Sequence, residues 1–212
     1  MDADKVYSLA DAIEVLREYA SKKFDETLEI AIRLGIDVTK ADQNIRGMLS
    51  LPNGTGKSVR VAVFTAHAQD EAKKAGAEVV GGEELIDSVA AGNINFDRVI
   101  ATPDMMPKMS KIARVLGPKG LMPNPKLGTV TNNVAEAVVN AKAGQIEYRA
   151  EKKGIIHAGI GKMSFSTEKL VENANALIDQ LKKVKPSTSK GQYILGISVA
   201  TTQGPGLKVD AK

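Results

Sequence analysis

Thr201-Thr202-Gln203-Gly204 sets two hydroxyls and an amide beside a residue with no side chain. That combination suits a ribose–phosphate backbone. Small residues let protein backbone approach the sugar, and hydroxyls or amides can bond its 2′-OH. The cations such a surface needs lie in the same basic segment, at Lys162, Lys190 and Lys208. Lys23-Phe24 adds a cation beside an aromatic that could pack on a sugar or base. Taken alone, Phe24 also fits a core residue at a strand start, and Thr202 to Gly206 also reads as a β-bulge or turn.

Other chemistries fare worse. Asn53-Gly54-Thr55-Gly56-Lys57-Ser58 has the tail of a phosphate-binding loop, but G-x-x-x-x-G-K-[ST] needs Gly where Leu51 stands. It also needs a following helix whose amides meet the phosphates, whereas a strand is expected there. A plain turn is the better reading. Gly81-Gly82-Glu83-Glu84 opens a helix without the G-x-G-x-x-G spacing of a dinucleotide site. Neither His67 nor His157 has a carboxylate or second His at metal-ligand spacing. His157 lies near Lys162 in a basic hairpin, where it could touch a phosphate or fill a half-buried strand position. No Ser stands in a nucleophile elbow, and no carboxylate pair is marked by its context. The sequence thus predicts no enzyme, no metal and no cofactor, with a nucleotide-binding α/β enzyme as the disfavoured alternative. Gly117 to Gly128 holds three Pro, three Gly and two Lys in twelve residues, which predicts a stiff, cationic, solvent-facing loop.

Composition sets the frame. A chain of 212 residues with 43% apolar content supports one large or two small globular domains. Aromatics are 4% and Trp is absent, so the core is aliphatic. With no Cys there is neither disulfide nor thiolate site. No apolar run reaches membrane length, and no basic region followed by an apolar stretch opens the chain. The cytoplasm is the default compartment. The net charge of +4 is unevenly spread. Residues 1–60 carry a net −1, residues 61–149 are neutral, and residues 150–212 carry +5. The basic tail half points mildly to a polyanionic partner, against the plainer reading of a solvated Lys-rich surface.

These residues need elements to position them. Ser8 and Asp11 resemble a capping box for a helix with Leu9, Ala12, Ile13, Leu16 and Ala20 on one face. Leu28, Ile30, Ile32 and Leu34 alternate with polar or small residues, which predicts a strand in a sheet with one covered face. Ile45 to Leu51 reads as a second strand, ending in the turn Pro52-Asn53-Gly54. Strand and helix then alternate. The strands are Val59 to Phe64, Glu78 to Val80 and Arg98 to Ala101; the helices are Gln69 to Ala75, Glu83 to Ala91 and Met109 to Leu116. A further helix, capped by Thr131 or Asn132, carries Val134, Ala137, Val138 and Ala141. From Ile146 the opening style returns. Ile146 to Arg149 and Ile155 to Ile160 read as a hairpin around Lys152-Lys153-Gly154. An amphipathic helix follows over Leu170 to Leu181, then a strand with Tyr193, Leu195, Ile197 and Val199 alternating. An α+β domain split by an inserted α/β domain explains the pattern, although three sequential modules fit it too.

Gly117-Pro-Lys-Gly-Leu-Met-Pro-Asn-Pro-Lys126, together with Lys23-Phe-Asp-Glu-Thr27, Asp42-Gln-Asn-Ile-Arg-Gly47, Gly81-Gly-Glu-Glu84 and Ala101-Thr-Pro-Asp104, resembles the bacterial form of the large-subunit ribosomal protein one family. The likeness covers nearly the whole chain. It implies an α/β fold of two domains. Residues 1–58 plus 147–212 would form a split α+β, RNA-recognition-like domain, and residues 59–146 an inserted Rossmann-like three-layer α/β domain. It implies binding to the 23S rRNA stalk element in the large ribosomal subunit beside the tRNA exit site. It further implies help in releasing deacylated exit-site tRNA, repression of the protein's own mRNA, a cytoplasmic, ribosome-associated place and a free monomer. The RNA-binding residues it implies are Lys23, Phe24, Thr27, Lys162, Ser164, Thr201, Thr202, Gln203 and Gly204. Two departures stand out: Gln203 occupies a position usually held by Met, and the basic leader usual before Asp2 is absent from this sequence. The neutral middle segment suits a projecting body, its Pro-Gly loop meeting tRNA weakly through Lys119 and Lys126.

Overall fold

The computed structural model describes residues 5–189 and 191–210, so Lys190 lies outside the described residues. The fold is mixed α/β, and the chain divides into two compact units. One comprises the residues up to Lys57 with those from Gly144 onward; the other is Ser58–Ala143.

The first unit opens with β1 (Val6–Tyr7), α1 (Leu9–Tyr19), β2 (Thr27–Leu34) and β3 (Arg46–Ser50). Ser8 caps α1, its hydroxyl accepting from the Asp11 amide at 3.1 Å. Leu28, Ile30, Ile32 and Leu34 are buried, as their alternation requires.

The second unit contributes β4 (Val61–Phe64), α2 (Gln69–Lys74), β5 (Val79–Gly81), α3 (Glu83–Ala90), β6 (Arg98–Ala101), α4 (Met106–Met109), α5 (Ala113–Leu116) and α6 (Val134–Lys142). Its sheet is parallel, in the order β5-β4-β6. All of β4 is buried because apolar clusters form on both faces. Phe64, Val99 and Ala101 pack with Ile86 and Met109, while Val61, Val63 and Ile100 pack with Val138.

The helix expected over Met109 to Leu116 is broken: α4 and α5 flank a 3-10 turn at Ser110–Ile112. The cap of α6 is Asn133 rather than Thr131 or Asn132, since only the Asn133 carboxamide reaches back to the Glu136 amide, at 3.4 Å. The Pro-Gly loop faces solvent over Gly117 to Gly120 and again at Pro125 and Gly128, but not through its middle. Leu121 and Met122 pack on the core, Pro123 and Leu127 are buried, and the Thr129 hydroxyl closes the loop on the Asn124 amide at 2.8 Å.

The chain then returns through β7 (Gln145–Arg149), β8 (Ile155–Lys162), α7 (Thr167–Lys183), β9 (Ile194–Thr201) and β10 (Leu207–Val209). The main sheet runs β1-β10-β9-β2-β8, and β3 pairs with β7 in a separate antiparallel ribbon. The expected hairpin is therefore only a tight turn. β7 and β8 share the bridge Ala150–Ile156 and then diverge into different sheets. Leu195 was expected in the core, yet it is 46% exposed while Ile194 is buried. The register against β2 slips between Arg33 and Leu34, so a bulge flips the alternation at this point. Helices α1 and α7 pack together in the core of this unit.

Candidate nucleic-acid interface

The register of the main sheet assembles the site. Thr27, the first residue of β2, pairs with Lys162 at the end of β8, and neighbouring Leu28 pairs with Thr201 at the end of β9. Three loops therefore meet at one end of the sheet. They are the segment from Ala20 to Glu26 before β2, Met163 to Ser166 after β8, and Thr202 to Gly206 after β9. All nine residues implied by the resemblance lie on these loops or the strand ends that carry them.

Hydrogen bonds join the loops directly. The Thr202 hydroxyl accepts from the Thr27 amide at 3.0 Å, which explains why Thr27 is buried although its alternation places it on the uncovered face. Asp25 accepts from both the amide and the hydroxyl of Ser164, at 3.1 and 2.8 Å, and its carbonyl accepts from Lys162 Nζ at 2.8 Å. Glu26, only 2% exposed, accepts from the Ser21 amide at 2.6 Å and the Gln203 amide at 3.1 Å. The Glu26 carbonyl adds one rung to the β2–β8 ladder by accepting from Met163 at 2.9 Å.

The Ser21 amide chiefly holds the Glu26 carboxyl below the usual range, helped by the Thr201 hydroxyl and the Gln203 amide. The Thr201 hydroxyl is itself buried and lies towards this carboxylate. The turn closes on itself through a bond from the Gly204 amide to the Thr201 carbonyl at 3.2 Å.

What remains outward suits RNA. Phe24 is 44% exposed, which sets aside the core reading for it, and Lys23, Ser164, Thr202 and Gln203 are exposed. Lys162 is half-buried, its stem running along the Gly54 to Lys57 turn: a Cβ on Gly56 would sit 2.9 Å from Lys162 Cγ and 3.0 Å from the Phe165 ring. Gly56 also has φ +71°, so two constraints favour Gly there. The segment that resembles a phosphate loop is thus a buttress beneath this surface, and no helix follows it before β4.

Asp25 and Glu26 hold the site together yet are not among the residues that the sequence marks as functional. Their signal is their sign: two carboxylates amid residues chosen for a polyanion must answer to something other than the ligand. Lys208 lies on β10, just beyond the Thr202 to Gly206 loop, and pairs with Ser198 of β9.

The other candidate sites look different. The Gly82 amide, where a phosphate would be expected in a dinucleotide fold, donates to Glu84 at 3.1 Å, and Glu83 is paired with Lys108. Among the described residues no cluster of three or more His, Asp or Glu is placed to hold a metal ion, and no helix is long and apolar enough to cross a membrane.

The protein-family model described as Ribosomal protein L1p/L10e family matches residues 16–205, a span that contains Lys23, Phe24, Thr27, Lys162, Ser164 and the turn Thr201 to Gly204. The chain belongs to that family, and with it to the RNA-binding proteins of the large ribosomal subunit.

Proposed function

We propose that this chain binds the stalk element of 23S rRNA through Lys23, Phe24, Thr27, Lys162, Ser164 and the turn Thr201–Gly204. The observation that carries the proposal is the bonding of three loops to one another at one sheet end, with hydroxyls, a carboxamide, two Lys and Phe24 left at the surface. Such a surface reads shape. Its hydroxyls and backbone meet riboses, Phe24 stacks, and few cations pay for the phosphates. The role is structural rather than catalytic. The stalk so formed moves beside the tRNA exit site and helps release deacylated tRNA, with Lys119 and Lys126 of the Pro-Gly loop offering a weak tRNA contact. The same surface takes the protein's own mRNA when that folds like the ribosomal site, which represses translation. The free protein is a cytoplasmic monomer, and the second unit, residues 58–143, forms a domain inserted into the RNA-binding one.

Binding to a stalk RNA fragment and to a scrambled one, across a salt series, tests this. Selective binding with a shallow slope is expected, because each neutralised phosphate contributes only about −0.7 to −0.9 to the log–log dependence. Equal, weak binding to both fragments that collapses with salt would overturn it. Co-sedimentation with large subunits separates the stalk role from that of a free mRNA repressor.

A further inference from the structure

We propose that Glu26 is the positioning residue of this surface: its buried carboxylate ties the loop before β2 to the turn after β9. Phe24 and the Thr202–Gly204 backbone are thereby held in one arrangement before RNA arrives. This inference rests on the RNA-binding reading above.

A carboxylate close to a phosphate-binding surface is electrostatically adverse, so Glu26 needs a compensating task. Its geometry supplies one. The carboxylate is buried, and its two oxygens accept from backbone amides of different loops, Ser21 at 2.6 Å and Gln203 at 3.1 Å. Its carbonyl receives the Met163 amide at 2.9 Å, so a third loop hangs on the same residue. Amides held by an ionised acceptor are held more firmly than by a neutral one. The donors are main-chain groups, so no side-chain change elsewhere replaces them. Asp25 binds the Ser164 side on the neighbouring loop but does not touch the turn.

Charge and positioning predict opposite signs. If Glu26 acted on RNA only through its charge, neutralising it would strengthen binding and steepen the salt dependence. If it positions the turn, Glu26→Ala weakens binding by about tenfold or more, the order expected when bonds to a charged acceptor are lost. The salt slope should stay unchanged, because no phosphate contact is removed. Glu26→Gln keeps one good acceptor and should recover part of the loss.

The experiment measures full-length wild-type, Glu26→Ala and Glu26→Gln against the stalk RNA fragment across salt. Thermal unfolding and amide exchange at Ser21 and Gln203 accompany it. Weaker binding at constant slope, with faster exchange at those two amides in a folded protein, is the expected result. Should the Ala variant fail to fold, the Gln variant decides by the same criteria. Selective wild-type binding with unchanged or tighter binding by the variants would overturn the positioning role alone. Loss of selectivity in the wild type would overturn the RNA-binding reading, and this inference with it.

Discussion

At Gln203 and Gly204, adjacent residues contribute to the turn in different ways. Gln203 is tied through its amide, while its side chain is exposed. Gln203→Met should therefore keep the turn, and stalk RNA affinity should stay within about tenfold, since a thioether replaces a carboxamide on a ribose face. Gly204 has no such latitude. A Cβ there would collide with Thr201 Oγ1, on a side chain that is itself buried. Gly204→Ala should distort the turn at a cost of about 1–3 kcal/mol. Read in RNA binding, that is about a 5- to 150-fold loss. Titrating both variants with the same RNA checks the pair, and complete loss of binding in the Met variant would show that the side chain, rather than the backbone, sets recognition. Lys23, Phe24 and the small turn were legible as residue types. Asp25 and Glu26 were not, because their work is done toward the protein and against the sign of the ligand.

Asn173 shows the same inward logic at the scale of elements. It is fully buried on α7, donates to the Ile160 carbonyl at 2.7 Å and the Gly54 carbonyl at 2.9 Å, and accepts from the Asn53 amide at 3.0 Å. Ile160 sits where the β2–β8 register slips, so the bulge turns a carbonyl to the helix. One carboxamide thus fixes helix, strand bulge and turn together, and that turn carries Gly56 beneath Lys162. Asn173→Ala leaves three backbone groups unpaired and should cost about 2–4 kcal/mol, measured by denaturant unfolding. Unchanged stability would mean water replaces the carboxamide. The sequence could not show this, because a lone Asn in an amphipathic helix looks like a solvent residue. The same limit explains the other misses. Alternation identified β2, which is regular through Ile30 and Ile32, but it failed at Leu195, where a bulge changes the phase. Local turn chemistry found the bend at Gly154 yet could not say that β7 would pair with distant β3, a choice made by tertiary packing.

The segment 58–143 leaves the first unit at Lys57 and rejoins it at Gly144, which lies against the Gly54-Thr55 turn just before Lys57. The β3–β7 ribbon ends with Ser50 opposite Gln145, the Leu51 amide donates to the Gly144 carbonyl at 3.4 Å, and a Cβ on Gly144 would collide with Gly54 Cα. A short linker can therefore replace residues 58–143 with little added cost, because loop-closure entropy grows only as about (3/2)RT ln n. The first unit keeps its own continuous core of α1, α7 and the sheets, and every residue of the candidate RNA surface. Residues 58–143 carry ten Lys and Arg against nine Asp and Glu, so their removal takes away little net attraction for RNA. A chain with a Gly-Ser linker in place of 58–143 should unfold cooperatively and bind the stalk RNA within about tenfold of the whole protein, with a similar salt slope. A folded variant with markedly weaker, unselective binding would place essential recognition in the excised unit. The RNA surface would then have to be sought beyond the three loops at the end of the main sheet.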